Sequence, residues 1–301
     1  MKKITLLASL ALSVGLMTSC SVDDAMNSTT GNDNVAVQLD GNIGVTTRAA
    51  GTAWTANDKI GVFMVGVNKT LESSNILANA ANVAYVTSAG DGKFSPVEAA
   101  STIYYPVEGS VDFYAYYPYS ANVSELKYPI DVTDQNNQEA LDLMYATAKN
   151  LNKKTPKAEL QFEHQLCNVV FDVQPGEGLT ESDLENMTIT IEADNSKASF
   201  VLTYGLLSDE NTPATITMKK KDGALTYEAI LIPEDTNDNR KVHFNLNNVA
   251  GDSFEWTMTG NLKGGKKYHY TKVKVTRTGA EVSGTIKDWT PVADDTEYEA
   301  K

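Results

Sequence analysis

Side chains that carry most protein chemistry are scarce in this chain of 301 residues: it has three histidines, His164, His243 and His269, and two cysteines, Cys20 and Cys167. No histidine stands at the spacing of a helical zinc pair or in a tight His/Cys cluster, so a metal centre is not expected. The chain also lacks a Gly-x-Ser-x-Gly elbow, a phosphate loop ending in Gly-Lys-Ser/Thr, and a Gly-x-Gly-x-x-Gly following a strand. Acyl transfer and nucleotide chemistry therefore lack their signatures, and no cofactor is expected. Asp235-x-Asn237-x-Asn239 imitates the start of a calcium loop, but its sixth position is Arg240 rather than glycine and its twelfth is Leu246 rather than glutamate. It reads as a polar hairpin loop. Carboxylates are plentiful, yet no spacing singles out a glycosidase pair. The expectation is a protein without catalytic residues.

Cys167 shares one strand face with Val169, Phe171 and Val173, which marks it as a small buried hydrophobe rather than a nucleophile. His164 falls on the opposite face with Phe162 and Leu166, and is expected to be buried and hydrogen-bonded across to a neighbouring strand. Six of the fourteen tyrosines lie between Tyr104 and Tyr119, at 104, 105, 114, 116, 117 and 119. An exposed aromatic row could stack on sugar rings. In Val111 to Tyr119, however, the odd positions are Val, Phe, Ala, Tyr and Tyr, the pattern of a face turned to a core.

These residues sit in an acidic background of 25 Lys+Arg against 39 Asp+Glu, a net charge of −14. Nucleic acid and anionic lipid surfaces would repel such a chain. With 42% hydrophobic and 21% charged residues the composition is that of a folded protein, long enough for one large or two ordinary domains. Two cysteines provide no disulfide framework.

The N-terminus has its own logic. A basic head, Met1-Lys2-Lys3, precedes the apolar run Ile4 to Leu16, which has the length of a signal-peptide core and is too short to span a bilayer as a helix. Met17-Thr18-Ser19-Cys20 then places small residues before a cysteine, the pattern of a bacterial lipoprotein signal in which Cys20 becomes the acylated N-terminus. Export, removal of residues 1–19 and anchoring to outer-membrane lipid through acylated Cys20 are expected. Residues 20–34 form a polar tether.

Beyond Val35 no window sustains the helical period, whereas short alternating apolar runs bounded by Gly, Pro, Asn and Asp recur. Strands are expected at Val35-Val37-Leu39, Ile60 to Val67, Val111 to Tyr119, Phe162 to Val173, Met187 to Ala193, Ser199 to Tyr204, Leu225 to Ile232, Val242 to Leu246, Phe254 to Met258, Tyr268 to Val275 and Val282 to Trp289. Ile60 to Val67 is apolar on both faces, as a central strand would be. Thr180-Glu181-Ser182-Asp183 either caps a short helix before Leu184 or makes a turn. Alternation of this kind is all-β and implies packed sheets. The apolar-poor, Pro-containing stretch Ala148 to Lys157 suggests a boundary between two β domains, 35–157 and 158–301.

Several runs, taken in order, resemble the fimbrillins of Bacteroides and Porphyromonas and their Mfa-like relatives. They are Trp54 with Asp58-Lys59-Ile60-Gly61-Val62-Phe63, Asp112-Phe113-Tyr114-Ala115-Tyr116-Tyr117-Pro118-Tyr119, Asp142-Leu143-Met144-Tyr145-Ala146, Leu160-Gln161-Phe162-Glu163-His164-Gln165-Leu166, Ala229-Ile230-Leu231-Ile232-Pro233, and Gly264-Gly265-Lys266-Lys267-Tyr268-His269-Tyr270 with Ile286-Lys287-Asp288-Trp289. The resemblance implies two transthyretin-like β-sandwich domains in a structural subunit of surface fimbriae, supporting adhesion and biofilm formation. It further implies that an Arg-specific protease removes an N-terminal strand, whose groove a strand from another subunit then fills. Here that strand would include Val35, Val37, Leu39, Ile43 and Val45, and the scissile bond would be Arg48-Ala49. Partners would be other fimbrial subunits, self or tip and anchor pilins, and host or bacterial surface ligands. After Trp289 only 12 residues remain, and they carry Asp294, Asp295, Glu297 and Glu299. So acidic a tail is a poor donor; the donor strand is either drawn from Val282 to Val292 by displacement or not supplied. The alternative is a surface lipoprotein that binds glycan or host ligand without polymerising.

Overall fold

The computed structural model describes residues 34–44, 53–77, 79–208, 211–234, 240–247, 253–276, 279–288 and 297–298. Cys20, Val45, Arg48, Ala49 and the Asp235-x-Asn237-x-Asn239 loop lie outside these residues. The first eight strands are β1 (Gln38–Ile43), β2 (Asp58–Gly66), β3 (Val83–Thr87), β4 (Lys93–Pro96), β5 (Val111–Tyr117), β6 (Lys127–Asp131), β7 (Met144–Leu151) and β8 (Lys157–His164). The next six are β9 (Cys167–Pro175), β10 (Thr188–Ala193), β11 (Lys197–Val201), β12 (Leu206–Leu207), β13 (Ala214–Thr217) and β14 (Lys219–Lys220). Then come β15 (Thr226–Leu231), β16 (Arg240–Asn245), β17 (Ser253–Met258), β18 (Lys266–Thr276), β19 (Gly279–Asp288) and β20 (Glu297–Tyr298). The described helices are short, as the lack of helical periodicity requires. One, α1 (Gln138–Leu141), is capped by the Asn137 side chain; the other, α2 (Glu181–Leu184), carries the capping box at Thr180 and Asp183.

Seven strands close on themselves in the order β1-β4-β3-β2-β5-β7-β8. The remainder form a three-stranded sheet β12-β11-β6, a four-stranded sheet β13-β10-β16-β17 and a six-stranded sheet β14-β15-β9-β18-β19-β20. The chain leaves the closed ring between His164 and Cys167, so the single strand expected over Phe162 to Val173 is two strands in two sheets. The reason is a slip of phase: Ala158, Leu160, Phe162, His164 and Leu166 are buried on one alternation, and Cys167 starts another. Residues 148–157 hold the end of β7, its turn and the first residue of β8, which pairs with β1 and β7.

Two hydrophobic cores result, and β2 and β5 serve both. Their alternate residues Ile60, Val62, Met64, Phe113 and Ala115 fill the ring. The intervening Phe63, Val65, Tyr114 and Tyr116 join the larger core made with β9, β10, β15, β16 and β18. Both strands are thus buried on both faces, which explains the continuous apolar run of Ile60 to Val67. Within β5, Asp112 is buried. Its carboxylate accepts from the N–H groups of Asn68 at 3.1 Å and Asn150 at 2.8 Å, two residues with positive φ, so one buried carboxylate ties the turn after β2 and the irregularity in β7 to the start of β5.

Candidate functional site

The first strand occupies the feature with the most evident capacity for exchange. Along β1 the side chains alternate: Val37 and Leu39 are buried in the ring core, Gln38 and Asn42 face outward, and Ile43 is half-buried. Val35 packs at the rim. One backbone edge runs parallel to β8, from Gln38 opposite Lys157 to Ile43 opposite Phe162. The other meets β4 at Leu39–Phe94 and Asp40–Lys93, then the segment after it, where Val37 N–H donates to Ile103 O and Tyr105 N–H donates to Val35 O, each at 2.9 Å. A strand bonded on both edges hides two rows of backbone groups, and its apolar side chains contribute about 1.5–3 kcal/mol each. Removing it would expose both rows and an apolar slot.

Trp54 closes the far end of this seat. Its ring meets Phe94, Phe162 and Tyr117 edge-on, at centroid distances of 5.0, 5.1 and 5.4 Å. Its Nε1–H donates to Gly41 O at 2.7 Å. Beyond Ile43 the seat opens into a cleft of about 530 Å³ lined by Trp54, Asp58, Asp142, Asn168, Lys221 and Glu228. Burial would raise the Glu228 carboxyl, but the Asn168 amide at 2.5 Å and the Lys221 ammonium at 3.0 Å outweigh it and hold that group below the usual carboxylate range. The cleft holds charge without a nucleophile–base pair, and among the described residues no cluster of His, Cys, Asp and Glu is placed to hold a metal ion.

The other residues singled out from the sequence are dispersed. His164 is buried with Nδ1 2.7 Å from Asp142 Oδ1, His243 Nε2 lies 2.9 Å from Glu192 Oε1, and His269 Nε2 lies 2.7 Å from Asp172 Oδ2. They stand on β8, β16 and β18. The Cys167 thiol donates to Leu231 O at 3.3 Å, and burial pushes its pKa up to about 12, which makes it inert. Of the clustered tyrosines, Tyr105, Tyr114, Tyr116 and Tyr117 are buried and Tyr104 is exposed, so no aromatic row faces solvent there.

Two features escaped the sequence reading. The Trp54 shelf joins residues distant in the chain, which no local pattern reveals. Arg240 is buried, and its guanidinium binds Glu234, with Nε 3.1 Å from Oε2. Glu234 Oε1 also accepts from Asp194 N–H at 2.9 Å. A signal for it existed: Arg240 shares the inward alternation of Val242, Phe244 and Leu246.

The family model described as Fimbrillin-like matches residues 47–289. The chain belongs to the fimbrillin-like family. Among known members, a Bacteroides uniformis protein named "Putative fimbrium subunit Fim1C" is 30% identical over 300 residues, 97% of this chain and 96% of that one. A crystal structure titled a "putative cell adhesion protein" from Bacteroides uniformis is 29% identical, with a TM-score of 0.73 over 85% of this chain and 99% of that chain. One from Bacteroides ovatus, 24% identical, shares the fold with a TM-score of 0.67 over 87% of this chain and 100% of that one. This fimbrillin-like protein is accordingly a non-enzymatic, fimbrial or adhesin-like subunit of the cell surface, all-β in fold.

Proposed function

We propose that the protein is a pilin, exported as a lipoprotein acylated at Cys20, carried to the outer membrane, trimmed at Arg48-Ala49 and assembled by strand exchange into fimbriae that support adhesion and biofilm formation. The observation that carries this reading is the seat of β1. A strand close to the N-terminus contributes Val37 and Leu39 to a closed ring and is paired along both edges. Its loss would leave a slot with unpaired N–H and C=O groups, and only another extended segment satisfies both the polar edges and the apolar floor. We also propose two β domains, supported by the two cores, with β2 and β5 shared between them; Ala158, Leu160 and Phe162 fill the ring core, so the boundary falls after His164 and not between residues 157 and 158 as the apolar-poor stretch suggested.

The test is the intact mass and N-terminal sequence of the protein taken from the cell surface, with a denaturing gel of unboiled sample. A species beginning at Ala49 with heat-sensitive ladders is expected. A lipidated chain beginning at Cys20 and running only as monomer would overturn the reading.

A further inference from the structure

The seat of β1 sets a condition on any strand that lies in it. Gly41 is buried, its N–H donating to Gly92 O at 2.7 Å while its carbonyl accepts from Trp54 Nε1 at 2.7 Å. A Cβ at this position would stand 2.8 Å from Phe94 Cε2, 3.0 Å from Phe162 Cε2 and 3.3 Å from Trp54 Cζ2. These rings are packed edge to face, and Phe162 is fully buried, so none can swing away without opening the core. The seat therefore accepts two apolar residues spaced by two, then a residue without a side chain, then a further apolar one: Val37-x-Leu39-x-Gly41-x-Ile43.

The same order, with any apolar residue at each apolar place, recurs at Tyr105 to Val111, Trp256 to Leu262 and Ala280 to Ile286. In the first the glycine is Gly109 with φ of 88°, and Pro106 interrupts the run; in the second it is Gly260 with φ of 90°. Neither is extended through its glycine. Ala280-x-Val282-x-Gly284-x-Ile286 lies wholly within β19. Its first two apolar residues are no larger than those of β1, so they would fit the slot that Val37 and Leu39 fill. On one side β19 pairs with β18; on its other edge, among the described residues, two residue pairs, Gly284–Tyr298 and Thr285–Glu297, join it to β20. Gly284 also serves its own sheet, where a Cβ would stand 2.7 Å from Tyr270 Cα. A single glycine thus suits both locations.

We propose that the Trp54 shelf selects the incoming strand by requiring a glycine, and that residues 280–286 of a second copy of this chain fill the seat with Gly284 in the place of Gly41. Val282 then lies where Leu39 lay, opposite Ala158, and the Gly284 carbonyl accepts from Trp54 Nε1. This rests on the strand-exchange reading above and adds the register to it. A slip of one residue would turn every side chain to the wrong face and present a Cβ to the shelf.

The experiment uses the full chain carrying Arg277→Lys, which leaves Arg48 and the buried Arg240 as its arginines, cut by an Arg-specific protease. Three fluorescent peptides are offered and retention is read by anisotropy: residues 34–47, residues 279–288, and residues 279–288 with Gly284→Val. The first two are expected to bind and the third to bind at least about tenfold more weakly, the cost of one overpacked side chain. Equal binding by both 279–288 peptides would overturn the glycine rule and leave strand exchange standing. Binding by 34–47 alone would overturn the choice of β19 as occupant. If none binds, strand exchange itself fails.

Discussion

At β1 a segment is held by backbone hydrogen bonds and a slot for apolar side chains, with an ion pair, Asp40–Lys157 at 2.9 Å, on the surface. At the start of β16 the chain is held by Arg240 and Glu234, both buried and bonded to each other, with Glu234 also accepting from the backbone N–H of Asp194. Backbone bonds and apolar area are common to all strands, so a second strand of suitable shape can replace the first. A buried ion pair has no such substitute, because either partner left alone is a stranded charge. The contrast separates a part of the molecule suited to exchange from one suited to staying put.

The sharpest way to break this comparison is Arg240→Met, which strands Glu234. We expect a loss of about 3–5 kcal/mol in urea denaturation, largely recovered when Glu234→Gln is added; a single substitution costing under about 1 kcal/mol would show that the pair fastens little. Next, Leu39→Ala should cost the intact chain about 2–5 kcal/mol by leaving a cavity in the ring core. The same substitution should have no effect once the segment before Ala49 is cut and removed, whereas the Arg240 effect should persist. Persistence of both would mean that β1 does not leave.

Alkaline pH tests both cores. Burial pushes Tyr105, in the ring, and Tyr128 and Tyr227, in the larger core, up to about 12. The unfolded chain ionises these groups near pH 10, so it holds fewer protons than the folded chain between about pH 10 and 12. Stability is fully present below pH 10 and should fall as the pH rises from there, seen as a decreasing urea midpoint; an unchanged midpoint at pH 11 would refute it. Tyr105→Phe should blunt the fall less than Tyr128→Phe and Tyr227→Phe combined. The smallest effect is expected for Trp54→Phe, which removes the donor to Gly41 O and should cost about 0.5–1.5 kcal/mol in the intact chain.

The all-β class, most strand positions and the doubly buried β2 were legible in the sequence, because alternation along a strand is a local property that records which faces meet a core. The inert Cys167 and the buried His164 followed from the same alternation. β7 was hidden because its inward residues include the small Ala146 and Ala148, and β6 because Pro129 and flanking charges suit an edge strand. The shift of phase between Leu166 and Cys167 looked continuous in one dimension and became a change of sheet only in three. Which strands pair, that β1 runs parallel to β8, and that Trp54, Phe94 and Phe162 converge over Gly41 were decided by tertiary structure alone. These contacts join residues from 13 to more than a hundred positions apart, and a pattern read over a few neighbours carries no information about such distances.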